Sequence, residues 1–285
     1  MNIFEASHAK MQHLLFFIIF FNMQYIFCTV AVASMRKEPS HRSEMVSQLL
    51  FGEYGYVLEQ KDDFVLIKGL FDGYEGWCAT NQVTFVKKED VTDTTQYLNE
   101  EVAEVMVKNA GVMHIPFSTP LYSVDEKADP LVFGEYEFHY GDARTKVWDA
   151  GTAVFNADNI RKICTQFINT AYLWGGRSIY GLDCSGFVQQ VYKMFDIRLL
   201  RDAHLQADQG KSVESLAEAR IGDAAFFHND SGRIIHVGIL LSNKEIIHAS
   251  GKVRIDDIDE TGIMNRETGK QTHHLTCIRR MKDLG

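Results

Sequence analysis

The stretch Tyr172 to Phe187, Y-L-W-G-G-R-S-I-Y-G-L-D-C-S-G-F, sets Cys184 where a glycine-rich turn runs into an apolar-periodic segment. Phe187, Val188, Val191 and Phe195 follow at helical spacing. The segment therefore predicts a helix with Cys184 in its first turn and Gly181 and Asp183 as turn and cap. Unpaired N–H groups and the positive end of the helix dipole favour a thiolate there, which makes Cys184 a candidate nucleophile. Taken alone it reads first as a small buried hydrophobe, the commonest fate of a free cysteine. A catalytic reading needs a partner base.

Two histidines offer one. His236 in R-I-I-H-V-G-I-L-L and His248 in K-E-I-I-H-A-S lie on β-branched apolar runs separated by S-N-K, a pattern that predicts adjacent antiparallel strands. Cys184, His236 and His248 then fill the roles of nucleophile, base and orienting third group. Each histidine singly also fits an ordinary strand-face residue. Zinc is the alternative use of these three side chains, but the C-x-x-C and H-x-x-x-H spacings of zinc sites are missing, so neither metal nor cofactor is expected.

The segments Y-L-W-G-G, L-D-C-S-G-F-V, I-G-D-A-A-F-F, H-V-G-I and I-H-A-S, in this order within about residues 159 to 280, resemble the NlpC-type cysteine peptidases, papain-like enzymes that cut bacterial cell-wall peptides. The resemblance implies Cys184 as nucleophile, His236 as general base and then acid, and His248 as the orienting residue. It implies Tyr172 and the Cys184 backbone N–H at the oxyanion, where charge develops. It also implies Asp183 and Ser185 as holders of the substrate's N-terminal amine. From the residues alone, helix capping accounts for Asp183 and Ser185. Trp174, Gly175 and Gly176 read as a buried aromatic before a tight loop.

With 285 residues, 46% of them hydrophobic, the chain has room for two or three small domains. Its 29 basic and 38 acidic residues give a net charge of −9 with no basic cluster, which argues against nucleic acid as a partner. Leu14 to Phe21 is an unbroken apolar run behind Lys10 and His13; it resembles a signal-peptide core and is too short to span a bilayer. Residues 1–24 are thus read as a leader, and the protein as bacterial and periplasmic or secreted, with no stable membrane span once the leader is removed. A-V-A at 31–33 fits the small-residue cleavage rule, yet a cut there removes an apparent strand from Cys28 to Met35, which a cut near Gln24 keeps. Five cysteines leave at least one thiol free; Cys28 and Cys78 are the pair that export would allow to bond.

F-G-E-Y occurs at Phe51 to Tyr54 and again at Phe133 to Tyr136, among short strands and turn signals. The expected fold is α+β: a papain-like cysteine peptidase domain over 157–285, preceded by two small SH3-like β-barrels at 25–88 and 105–156. The linker falls at 89–104, and a helix is expected from Asn99 to Asn109. In relatives that act on recycled stem peptides the first SH3-like domain packs beside the cleft. The resemblance then carries Tyr74, of Y-x-G-W, and Glu38, in the early loop, to the substrate amine. The implied reaction is hydrolysis of the bond between γ-D-Glu and L-Lys or diaminopimelate in murein stem peptides with a free N-terminal L-Ala. The alternatives are an endopeptidase that remodels intact peptidoglycan with the barrels as wall binders, and a non-catalytic wall-binding protein.

Overall fold

The computed structural model describes residues 24–91, 97–122, 130–141 and 146–285; the leader assigned to residues 1–24 lies outside them except for its last residue. The first module is one antiparallel sheet. Its strands are β1 (Tyr25–Cys28), β2 (Val32–Arg36), β3 (Met45–Leu50), β4 (Tyr54–Lys61), β5 (Phe64–Gly69), β6 (Glu75–Ala79) and β7 (Val83–Val86), in the order β3-β2-β6-β5-β4-β1-β7. The strand expected from Cys28 to Met35 is in fact two, because the chain bends between Cys28 and Val32. Tyr25 to Phe27, which look like the tail of the apolar leader, form β1, hydrogen-bonded between β4 and β7.

Ile26, Phe27 and Cys28 are fully buried. Burial of one large apolar side chain is worth about 1.5–3 kcal/mol, against net stabilities of about 5–15 kcal/mol for whole domains. A chain starting at Ser34 is therefore expected to be misfolded, whereas one starting at Gln24 keeps a cooperative thermal transition; circular dichroism melting of the two tests this. Cys28 and Cys78 share the core of this module as free thiols. Burial pushes both up, Cys78 to about 12.

The second module holds β8 (Tyr97–Asn99), β9 (Ala103–Val107), β10 (Gly111–Ile115), β11 (Leu131–Phe133), β12 (Tyr136–His139) and β13 (Val147–Asp149). They form a four-stranded sheet, β10-β9-β12-β11, and a separate β13-β8 pair. The helix expected over Asn99 to Asn109 is absent, and strands begin at Tyr97 within the segment read as linker. Ala103 to Val107 alternates instead, with Val105 buried between exposed Glu104 and Met106, the two-residue period of a strand. Both F-G-E-Y copies make strand–turn–strand units, with Gly52 at φ 83° and Gly134 at φ 59°. Their phenylalanines share a partner: Phe51 and Phe133 each pack on the Phe27 ring, at 5.6 and 4.4 Å between centroids. The two modules are thus joined by one aromatic core built around β1.

The third part begins with α1 (Ala157–Thr165) and the short hairpin β14 (Arg177–Ser178) and β15 (Gly181–Leu182), followed by α2 (Cys184–Lys193) and α3 (Ala203–Gln206). A seven-stranded antiparallel sheet follows: β16 (Lys211–Val213), β17 (Ala224–His228), β18 (Ile234–Leu240), β19 (Glu245–Ser250), β20 (Lys252–Asp259), β21 (Gly262–Asn265) and β22 (Lys270–Arg280). The order is β16-β22-β17-β18-β19-β20-β21, and a β21–β22 pairing curls it on itself. Phe187, Val188, Val191 and Phe195 join Val237, Ile239, Ile247 and Ala249 in its core. The polar side of α2 is buried as well, because the other modules cover it. Gln189 donates to Asp72 at 3.0 Å, Ser118 donates to Gln190, and Lys193 meets Glu53 at 2.8 Å. Among the described residues no helix is long and apolar enough to cross a membrane.

Candidate active site

Asp183 caps α2, accepting from the Gly186 N–H at 2.7 Å, and this fixes Cys184 as the first helical residue. The close turn in front requires its glycines: a Cβ on Gly175, at φ 76°, would lie 2.4 Å from the Met45 carbonyl oxygen, and one on Gly176 2.4 Å from that of Gly181. Cys184 Sγ sits against β18, 3.9 Å from the Ile235 carbonyl oxygen, next to His236 in the chain. The helix terminus was expected to favour the thiolate. Burial and the neighbouring Asp183 charge outweigh the N–H groups of Val237 and Ser185 and push the thiol up to about 12.

The two histidine strands pair in the expected antiparallel sense, with Gly238 opposite His248. His236 Nε2 lies 2.8 Å from His248 Nδ1, and His248 Nε2 lies 3.0 Å from Asp256 Oδ2. All three side chains are at least 95% buried. Burial, then the neighbouring His248 and His273, holds His236 well below the ordinary histidine range. His273 stacks on the His236 ring at 4.1 Å between centroids and is itself lowered to about 4, chiefly by burial. Among the described residues no group of three His, Cys, Asp or Glu side chains is arranged to hold a metal ion.

A cavity of about 530 Å³ opens on Cys184, and the first module supplies part of its wall through Glu44, Val46 and Tyr74. Tyr172, half-buried, lines it beside the thiol, and burial followed by the Cys184 and Asp183 charges keeps its hydroxyl protonated. Tyr74 reaches across to Asp202, with its hydroxyl 3.3 Å from Oδ1. Burial and Asp202 push that phenol up to about 12, so it stays a donor. Trp174, read as a buried aromatic, is 61% exposed on the cleft rim, where its Nε1–H donates to Glu44 at 2.8 Å.

Two of the other expected substrate contacts have partners within the protein. Glu38 stays exposed in the turn after β2, its N–H on Ser43 Oγ, while the same loop sends Glu44 to the cleft. Asp183 is saturated: Oδ1 accepts from Gly186 N, Ser185 Oγ and Arg201 Nη1, and Oδ2 from Gly175 N and Arg201 Nη2. These contacts engage both carboxylate oxygens in holding the nucleophile turn, while Asp183 also lines the cavity. Ser185 Oγ lines the cleft too, held by Arg201 Nη1 at 2.9 Å. Arg201, which the sequence reading did not single out, is 1% exposed and organises the nucleophile turn through Asp183, Ser185 and the Gly176 carbonyl. Asp202 and Glu44 are the cleft carboxylates that sequence reasoning missed.

A thiol at a helix start above an antiparallel sheet, with an imidazole pair on that sheet, defines a papain-like cysteine peptidase. Comparison with known proteins agrees. The NlpC/P60 family pattern matches residues 169–272, and that of the bacterial dipeptidyl-peptidase Sh3 domain matches residues 35–83. The gamma-D-glutamyl-L-lysine dipeptidyl-peptidase of Bacillus subtilis (strain 168) is 28% identical over 218 residues, 71% of either chain. Dipeptidyl-peptidase 6 of Lysinibacillus sphaericus is 24% identical over 261 residues, 83% of this chain and 92% of its own. The crystal structure of an NlpC/P60 family protein from Bacillus cereus ATCC 10987 shares the fold, with a TM-score of 0.73 at 20% identity over 90% of this chain and 99% of the other. The chain is a cysteine peptidase that carries an NlpC/P60 domain over residues 169–272 behind a bacterial SH3 domain over residues 35–83.

Proposed function

We propose that the protein hydrolyses the bond between γ-D-Glu and the diamino acid, diaminopimelate or L-Lys, of murein stem peptides that carry a free N-terminal L-Ala. The observation that carries this reading is the cleft wall. Glu44 and Tyr74 of the first module and Asp202 beside the nucleophile turn line one cavity with Cys184, which suits a short peptide ending in an ammonium group. Names of relatives such as the gamma-D-glutamyl-L-lysine dipeptidyl-peptidase support the same substrate class.

In this reading Cys184 gives its proton to His236 and attacks the γ-carbonyl carbon of D-Glu, with the Tyr172 hydroxyl and the Cys184 N–H facing the oxyanion. Collapse forms a thioester and breaks the amide, and His236 returns the proton to the leaving amine. Water then hydrolyses the thioester and frees L-Ala-γ-D-Glu. His248 orients His236. Tyr74, Asp202 and Glu44 read the ammonium, in place of Glu38 and Asp183, while Ser185 helps to hold the turn. The β8–β13 region is assigned as the second SH3-like module, and the protein acts on wall material outside the cytoplasm, secreted or periplasmic.

Mass spectrometry of digests of L-Ala-γ-D-Glu-diaminopimelate, its N-acetylated form and intact murein tests this. The expected result is cleavage of the free-amine peptide alone. Glu44→Gln and Asp202→Asn are each expected to raise its KM about 10-fold, the worth of a hydrogen bond to a charged group. Equal cleavage of the acetylated peptide, or release of fragments from murein, would overturn amine reading and favour an endopeptidase with wall-binding modules.

A further inference from the structure

We infer that Asp256 is a positioning residue for catalysis, setting through His248 which ring nitrogen of His236 carries the proton. The relay crosses three neighbouring strands, His236 on β18, His248 on β19 and Asp256 on β20. The inference rests on Cys184 and His236 acting as proposed above.

Asp256 is 1% exposed, and its oxygens are occupied. Oδ1 accepts from Arg254 Nη2 at 2.9 Å and from the Arg266 backbone N–H at 3.0 Å, and Oδ2 pairs with Arg254 Nε at 2.8 Å and with His248 Nε2 at 3.0 Å. Burial alone would raise Asp256, but these donors hold it well below the usual carboxylate range, so it is an acceptor only. His248 must therefore carry its proton on Nε2, and in a neutral ring that leaves Nδ1 as a lone pair. The 2.8 Å contact from that Nδ1 to His236 Nε2 then requires the proton of His236 to sit on Nε2. His236 Nδ1 is left unprotonated, free to take the proton of Cys184. When it does, the positive charge forms on His236 and is spread over two charge-assisted hydrogen bonds; no second proton moves.

The other charged groups at this end are consistent with a fixed carboxylate. Arg254 is held on its far side by Glu267 at 3.0 Å, and Arg266 is engaged by Asp257 and Glu245. His273, from β22, packs on the face of His236 and makes no hydrogen bond to this chain of groups; its Nδ1 meets Thr272 Oγ1. Asparagine at 256 would offer an N–H to His248 Nε2, reverse both rings and present N–H rather than a lone pair to the thiol.

Two measurements on the full chain decide it. Long-range 1H–15N correlation of the unliganded wild type at pH 7 is expected to show His236 and His248 both protonated on Nε2; a neutral Nδ1-protonated form at either overturns the proposal, whatever the substrate proves to be. Asp256→Asn is expected to lower kcat about 100-fold with KM within about 3-fold, the scale of a mis-set general base, and to move both rings to the Nδ1–H form. Asp256→Glu should restore part of kcat. A folded Asp256→Asn protein with kcat within about 3-fold of wild type also overturns it, and if that variant does not fold the wild-type ring protonation decides alone. Failure of the wild type to cleave the stem peptide would sink the substrate reading and leave the ring assignment standing.

Discussion

Cys184→Ala is expected to abolish hydrolysis of L-Ala-γ-D-Glu-diamino acid peptides, lowering kcat by about 10⁴-fold or more while leaving peptide binding and thermal stability close to wild type. Loss of a nucleophile removes the covalent route outright, and what remains is binding and oxyanion stabilisation. Calorimetric titration of the variant with the peptide separates the two effects; full turnover by Cys184→Ala would refute the mechanism. The same geometry fixes a pH profile. The thiol is pushed up to about 12 and His236 is held well below the ordinary histidine range, so the resting pair is neutral thiol and neutral imidazole. Protonation of His236 removes the base only well below pH 6.5, and thiolate forms freely only far above neutrality. Neither group titrates between pH 7 and 9. The substrate amine does, with an ordinary value of about 7.7–8.0. With Glu44 and Asp202 reading ammonium, kcat/KM should hold from pH 6.5 to about 7 and fall through about pH 8 as the substrate loses its charge. A profile that rises through pH 9 would show that the ammonium is not what the cleft reads.

The nucleophile helix and the histidine hairpin were legible because each announces itself locally. Phe187, Val188, Val191 and Phe195 repeat at helical spacing after a cap, and the two histidines sit on β-branched apolar runs. What stayed hidden depends on packing between distant segments. Amphipathic spacing gave α2 a polar face but not its covering, since only the folded chain shows Gln189, Gln190 and Lys193 turned into the front modules. Trp174 looks like core and stands at the rim because Gly175 lets the loop run against Met45 of β3. Asp256 lies in R-I-D-D-I-D, where nothing local sets it apart from the other two aspartates, Asp257 and Asp259. Only the β19–β20 register, with Ile246 opposite Asp256 and Arg254 opposite His248, puts it within reach of the histidine. Glu38 and Glu44 are likewise equivalent as loop acids until β3 is placed beside the cleft.

Glu53→Gln is expected to destabilise the protein by at least about 3 kcal/mol and to cost activity with it. Glu53 lies at the turn into β4 in the first F-G-E-Y copy and is 3% exposed. It meets Lys193 of α2 at 2.8 Å and Arg177 of β14 at 3.1 Å, and it accepts from the Leu50 N–H at 3.0 Å. Arg177 also donates to the Gln48 carbonyl at 2.6 Å, and both cations stand over the Phe71 ring. Burial by itself would raise Glu53, but the two cations lower it to about 2. Its ionised form therefore adds stability that is fully present above the ordinary glutamate value of 4.5 and is lost as the pH falls through about 2. The glutamine variant keeps the shape and removes the charge, which strands one buried guanidinium and one buried ammonium. Breaking a buried pair in this way costs about 3–5 kcal/mol, or a fall in Tm on the order of 10 °C for a unit of this size. The consequence for function follows from where the pair sits. It clamps the module that carries Glu44 and Tyr74 onto the hairpin and helix that carry Cys184, so loosening it should raise KM for the free-amine peptide more than it lowers kcat. A wall anchor on a loose tether would need no such clamp: a Glu53→Gln protein with unchanged Tm and unchanged KM would show that the first module does not build the cleft.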